Sequence, residues 1–210
     1  MDSPGSLVGR ARERRWKVFR ETFPDVATMR VLDVGGTAES WQRAPVQPAE
    51  VVVLNTDSAD VAAGDRLICL TGDACRASAV LSEFNISREF DLVFSNSLIE
   101  HVGGHDRRSE LAREIRSLAP RHWIQTPYLY FPLEPHWLFP GMQFLPVAAR
   151  VAVARSWPVG GRSATVRDAA ARALGTELLS RTAMRYYFPD STLWNERVLG
   201  MTKSLVAIKA

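Results

Sequence analysis

The chain has 210 residues, 46% hydrophobic and 23% charged, with a formal net charge of +3; that is ordinary for one globular domain with a full core. So small a charge does not by itself carry nucleic-acid binding, and no apolar run approaches the ~20 residues that span a bilayer. Two cysteines, Cys69 and Cys75, stand six apart (75 − 69 = 6), a separation that matches no zinc or redox pair and fits reduced thiols in a cytoplasmic protein.

The N-terminal stretch MDSPGSLVGRARERRW has no apolar segment of the kind a secretory leader needs. Residues 8–22 read as an amphipathic helix in which Trp16, Val18 and Phe19 oppose many arginines. Residues 1–27 are thus expected to form a helical cap. Its basic residues Arg10, Arg12, Arg14, Arg15 and Lys17 either face solvent over a sheet edge or contact an anionic partner.

The stretch RVLDVGGTAESW, residues 30–41, organises the rest of the chain. An apolar run closed by Gly35 and Gly36 predicts a buried strand entering a tight turn, with Thr37 or Ser40 capping a short helix. Asp33 stands inside that strand one residue before the turn. A buried carboxylate needs partners, so its place at the strand's C-terminal end points to a ligand or to backbone amides. Adjacent glycines followed by Thr37-Ala38-Glu39 do not suit a pyrophosphate, which wants glycines at wider spacing.

An acidic residue followed by a glycine-rich turn resembles the first motif of the class I S-adenosylmethionine-dependent methyltransferases. Their usual three-glycine pattern is reduced here to Gly35-Gly36-Thr37-Ala38. Later segments resemble that family in order. Val51 to Asn55 predicts a second apolar strand ending in Asn55, 22 residues after Asp33 (55 − 33 = 22). That is the spacing at which a polar residue meets a ribose hydroxyl. The family usually has Asp or Glu there, and Asp57 is a second candidate. A third strand is expected at Arg66–Leu70. In the loop after it the resemblance gives Asp73 to the adenine amino group, with Ala74 beside it, although Gly72-Asp73 also makes a good turn without any ligand.

Residues 76–84 read as a short helix and FDLVFSNS as the fourth strand, with Ser95 near its end. The IEHV segment after it is similar to the small-molecule, methyltransferase-11-like branch of the family. The Asn-Pro-Pro-Tyr of exocyclic-amine methylation is replaced by Asn96-Ser97-Leu98-Ile99, which disfavours nucleobase acceptors. His105–Leu118 is expected to be a helix and His122–Thr126 the fifth strand. Residues 127–146 hold five prolines and six aromatics, too much proline for a regular element. On the ligand-bearing rim they are expected to form an acceptor wall, within an insertion or lid spanning 127–177. Residues 147–157 and 165–173 read as helices flanking Gly160-Gly161, and 178–187 as another. Residues 192–199 and 204–208 are expected to close the chain as a hairpin.

The fold implied is α/β and Rossmann-like: a seven-stranded, mostly parallel sheet with a C-terminal antiparallel hairpin, in one domain. The resemblance implies S-adenosyl-L-methionine as cofactor, held by Asp33, Gly35, Gly36, Thr37, Asn55, Asp57, Asp73, Ala74 and Ser95, and S-adenosyl-L-homocysteine as product. If the acceptor is a small-molecule or glycan hydroxyl, a base is needed, and histidine suits neutral pH. His136 and His101 are the candidates, with Glu100 orienting His101 or binding the donor's amino group. Glu100/His101 and Glu134/His136 also resemble metal-binding pairs, but neither has a further ligand at sequence spacing, so no metal is expected. The partner expected is a small-molecule or glycan acceptor; a homodimer is compatible with this reading, and neither nucleic acid nor a membrane span is expected. The alternatives are an RNA or protein methyltransferase docking through the basic helix, and a nucleotide-binding relative without activity.

Overall fold

The computed structural model describes residues 7–57, 66–159 and 163–210. Gly160 and Gly161 lie outside them, as do residues 1–6 of the expected cap. Helix α1 (Leu7–Thr22) leads into strand β1 (Arg30–Val34), helix α2 (Ala38–Gln42), β2 (Glu50–Asn55) and β3 (Leu67–Thr71). Helix α3 (Ala77–Glu83), β4 (Leu92–Asn96), α4 (His105–Leu118) and β5 (Arg121–Pro127) come next. The chain then forms a small hairpin, β6 (Leu133–Glu134) and β7 (Phe139–Pro140), and helices α5 (Val147–Ser156), α6 (Val166–Leu174) and α7 (Arg181–Tyr187). It closes with β8 (Thr192–Val198) and β9 (Met201–Lys209).

Seven strands form one sheet in the order β3-β2-β1-β4-β5-β9-β8. The first five pair in parallel, and β9 joins β5 antiparallel. The order reverses between β1 and β4, so the C-terminal ends of these strands flank the crevice in which ligands of open α/β sheets bind. The continuous apolar runs of β1, β2 and β4 are those of strands buried on both faces. Leu32, Val34, Val52, Leu54 and Val93 pack under α3, α4 and α7. Val31, Val51, Val53, Leu92, Phe94 and Trp123 pack against Phe19 of α1 and Phe23.

Helix α1 therefore covers a sheet face. Arg15 donates two hydrogen bonds to the buried carboxylate of Glu196 on β8, which ties the basic helix to the sheet. Trp16 stacks on Phe94 with ring centroids 5.8 Å apart.

Several boundaries differ from expectation for local reasons. The third strand runs one residue later. The helix expected over 178–187 starts at Arg181, because the Ser180 side chain caps it by accepting from Ala183 N–H. Leu179 instead bridges Tyr128 in parallel. The last two strands meet at a two-residue turn rather than across 200–203. Leu199 (φ 50°) and Gly200 (φ 80°) are both left-handed, the geometry that matches strand twist in tight hairpins. In the proline-rich stretch, Leu133-Glu134 and Phe139-Pro140 pair across a turn at Leu138 (φ 48°). Trp137, Met142, Ala154 and Ala169 form a small core of their own beneath it.

Candidate active site

Asp33 sits in β1 with its side chain on the α1 side of the sheet, only 2% exposed. Trp41 Nε1–H donates to its Oδ2 at 2.7 Å, while Oδ1 has no partner. Burial pushes its carboxyl up to about 7, against the lowering by the Trp41 bond. The carboxylate also explains the second glycine of the turn, since a Cβ on Gly36 would lie 1.7 Å from Oδ2. Gly35 takes φ +81°, a conformation that glycine adopts without strain. A Cβ there would fall 2.8 Å from the Leu98 Cβ. The nearest neighbour of a side chain there is thus Leu98. Thr37 caps α2, accepting from Ser40 N–H.

Asn55, at the end of β2, donates its amide to Gly36 O at 2.8 Å and accepts from Asp57 N–H at 3.4 Å. It therefore pins the glycine turn. Ser95 is buried and donates to Val34 O at 2.9 Å, so its hydroxyl is used inside the sheet. Asp73 accepts two hydrogen bonds from Arg107, both at 2.7 Å, and one from Cys75 N–H. Burial raises its carboxyl, but the Arg107 and Cys75 bonds outweigh that and hold it below its ordinary value.

Two cavities open at this rim and share Gly35. A hollow of ≈ 120 Å³ is walled by Trp16, Trp41 and Phe94, with Asp33, Thr37, Ser40 and Asn96 as its polar lining. Asn96 Oδ1 is buried there without a partner, so the hollow holds two unpaired oxygen acceptors. The rim cavity proper, ≈ 210 Å³, is lined by Leu54, Asn55, Asp73, Ala74, Leu98, His101 and Arg107. A larger hollow of ≈ 380 Å³ is lined by Trp41, Gln47, Val51, Arg66 and Leu67 near the starts of β2 and β3; it touches the other two only through Trp41, which also walls the Asp33 hollow.

The catalytic candidates meet beside the rim cavity. His101 Nε2 lies 3.1 Å from His136 Nε2, with the rings edge-on at 89°. His136 Nδ1 is 2.6 Å from Glu134 Oε1, and Glu134 Oε2 accepts from Trp137 N–H. Glu100 is 1% exposed. Its Oε2 accepts from Thr126 Oγ–H at 2.9 Å, and its Oε1 is unpartnered. Burial pushes the Glu100 carboxyl up to about 6, opposed by its own backbone amide, then by Thr126, the nearby His136 and Ser97. Burial and the neighbouring His136 both lower His101. Burial also works against charge on His136, but the Glu134 hydrogen bond and the charges of Glu134 and Glu100 outweigh it and raise that imidazole.

The structure thus brings Glu100, His101 and His136 into one cluster and sets Asn55, Asp73 and Ala74 around one cavity. Asp33, Gly36 and Thr37 belong to the adjoining hollow, while Ser95 and Asp57 line neither cavity. Residues that matter and were not foreseen are Trp16, Trp41, Asn96, Leu98 and Arg107. The tryptophans left no trace as site residues, because an indole in a helix pattern reads as core. Trp137 docks the insertion, stacking under Arg172 at 4.2 Å and accepting from Trp157 Nε1–H, and Phe139 packs edge-on against Trp157. His122 is structural, buried and 2.6 Å from Ser191 Oγ.

No protein-family model matches the chain, and no curated protein matches it. Solved structures do. The N-methyltransferase NodS of Bradyrhizobium japonicum WM9 aligns over 98% of this chain and 97% of its own, with 12% identity and TM-score 0.56. Magnesium protoporphyrin IX methyltransferase ChlM of Synechocystis PCC 6803, with bound SAH, aligns over 100% and 89%, with 11% identity and TM-score 0.52. The N-terminal domain of EvdMO1, in the presence of SAH and D-fucose, aligns over 93% and 80%, with 16% identity and TM-score 0.52. The chain has the fold of the class I methyltransferases: α/β, with a seven-stranded, mostly parallel sheet closed by an antiparallel pair. Among the described residues no helix is long and apolar enough to cross a membrane.

Proposed function

We propose that the protein is an S-adenosylmethionine-dependent methyltransferase whose acceptor is a hydroxyl of a small polar molecule, a sugar or glycan being the leading class. The observation that carries this reading is the Glu100–His101–His136 cluster, which reaches the wall of a rim cavity through His101, at the switch point where this fold takes ligands.

The residues present fit such a donor. Asp33 Oδ1 and Asn96 Oδ1, buried and unpaired in an aromatic-walled hollow, are acceptors suited to an amino group, which would remove the cost of leaving them bare. Gly35, Asn55, Asp73 and Ala74 border the adjoining cavity on the side given to the nucleoside. Structures of this fold with bound SAH and SAM agree with that choice of ligand. Bound S-adenosylmethionine supplies a methyl group on a sulfonium.

What the chain must add is orientation, exclusion of water and removal of the acceptor's proton. An amine, once neutral, attacks through its lone pair, whereas a hydroxyl needs its proton taken as the new bond forms. A pair of imidazoles braced by the buried Glu134 is a costly arrangement for an amine acceptor and a useful one for a hydroxyl. Glu134 holds His136 with Nδ1–H toward its carboxylate, so Nε2 is directed at His101, and the two share one proton. His101 lines the cavity, with Nδ1 against Gly175 O and Nε2 against His136, so an acceptor hydroxyl would reach its Nε2 by displacing the His136 contact. The D-fucose present with EvdMO1 supports a sugar acceptor.

The test is a screen of sugar, phenol and amine acceptors with methyl-labelled donor. Label transfer to hydroxyl acceptors is expected. Transfer confined to amines, or to RNA or protein, would replace this reading.

A further inference from the structure

Glu100, His101 and His136 each offer one ligand atom, and these atoms lie within 4.8 Å of one another. Three features of the cluster ask for something besides protein. Glu100 Oε1 is enclosed and accepts from nothing, although an unmet buried carboxylate oxygen is costly. The two Nε2 atoms lie 3.1 Å apart, close enough for one cation to reach both. Both imidazoles are also held from behind. Glu134 engages His136 Nδ1, while Gly175 O and Thr176 Oγ stand 3.3 Å from His101 Nδ1. Such outer hydrogen bonds on the far nitrogen orient metal-bound histidines.

The spacing agrees. Two nitrogens each about 2.1 Å from a cation would be about 3.0 Å apart at a right angle and about 3.4 Å apart at the tetrahedral angle. The observed 3.1 Å falls between these. We propose that Glu100, His101 and His136 bind one divalent transition-metal cation, such as zinc or manganese, whose open positions take the acceptor's hydroxyl. Two imidazoles and one carboxylate favour such cations over magnesium or calcium, which prefer all-oxygen shells.

The acceptor role rests on the proposed oxygen methylation; the cation site does not. With the cation in place the imidazoles are ligands rather than bases. The acceptor O–H then coordinates the cation, and its proton passes to solvent. Its oxygen, left as a cation-bound alkoxide, takes the methyl group as the sulfonium becomes a thioether. Glu134 is a positioning residue in this scheme.

The experiment is calorimetric titration of Zn²⁺ into chelator-treated protein, with the visible spectrum of the Co²⁺ form as a direct probe of coordination. One equivalent should bind. His101→Ala, His136→Ala and Glu100→Gln should each weaken binding more than tenfold and alter the Co²⁺ bands, and Glu134→Gln should weaken it about tenfold. Unchanged melting temperature and S-adenosylhomocysteine affinity in at least two of these variants establish that the fold persists. No saturable binding, or equal binding by wild type and variants, overturns the site. Hydroxyl methylation at full rate in excess chelator overturns the cation's role and leaves oxygen methylation standing. Stoichiometric Zn²⁺ lost in the variants, without hydroxyl methylation, supports the site and overturns the activity.

Discussion

His101 and His136, 35 residues apart in the chain, meet Nε2 to Nε2 at 3.1 Å. One comes after the fourth strand of the parallel sheet, and the other is carried by the proline-rich insertion. The insertion therefore belongs to the site and is not a surface embellishment. Replacing either histidine with alanine should lower turnover at saturating substrate by ~100-fold or more while S-adenosylhomocysteine affinity stays within a few-fold. Steady-state kinetics and calorimetry on the two variants decide this. Normal turnover in both would remove the imidazoles from the chemistry.

Asp33 should give the protein a distinctive pH dependence. Its folded carboxyl stands at about 7 against an ordinary value of 3.8, so between those values the folded state holds a proton that the unfolded state has lost. By linkage, this contribution to stability is full at low pH and falls as pH rises through that window. The walls offer no compensating cation, being Trp16, Trp41, Phe94, Asn96, Thr37 and Ser40. At about 1.4 kcal/mol per pKa unit, Asp33→Asn should gain on wild type on the order of a few kcal/mol at pH 8 and almost nothing at pH 4. Urea unfolding across pH measures the difference. A gain independent of pH would mean that the carboxyl is not perturbed in this way.

Gly36→Ala places a methyl 1.7 Å from Asp33 Oδ2, where neither carboxylate nor strand can yield cheaply. It should cost about 2–3 kcal/mol of stability. Gly104→Ser is the control, because a Cβ there meets nothing within 4 Å and serine caps α4 at least as well as glycine. Chemical denaturation should separate the two variants clearly; equal stability would contradict the close packing of Asp33 on the turn.

Asp73 is engaged by Arg107 with two 2.7 Å hydrogen bonds, which competes with an adenine amino group for the same oxygens. Asp73→Ala should weaken S-adenosylhomocysteine binding about tenfold, the worth of one lost hydrogen bond to a charged group. Arg107→Ala should leave it unchanged or stronger, because it frees the carboxylate. If Arg107→Ala is the more damaging of the two, the pair supports the loop and Asp73 does not contact the ligand.

The parallel strands were legible because buried parallel strands are near-continuous apolar runs: Val51–Leu54 and Leu92–Phe94 are such runs, and Val31–Val34 is one broken only by Asp33. The tight turn at Gly35-Gly36 was legible for the same kind of local reason. The exact partners were not. Asn55 is polar at the expected spacing, yet its amide is spent on Gly36 O, a choice that no spacing encodes. Trp16 and Trp41 close over Asp33 from two different helices, a tertiary event without local signature. The meeting of His136 with His101 depends on the path of a loop, which has no period to read. Considered separately, Glu100/His101 and Glu134/His136 each lacked a third group at sequence spacing; the fold brings Glu100, His101 and His136 together.

A rim that holds S-adenosylmethionine next to the imidazole cluster must also bind the demethylated product. Titrating S-adenosylhomocysteine into the wild-type protein by calorimetry tests this most directly. Saturable binding with one equivalent per chain, weakened at least tenfold by Asp33→Ala and within a few-fold of wild type in His136→Ala, is the result predicted. No binding at millimolar ligand, or binding indifferent to Asp33, would contradict it.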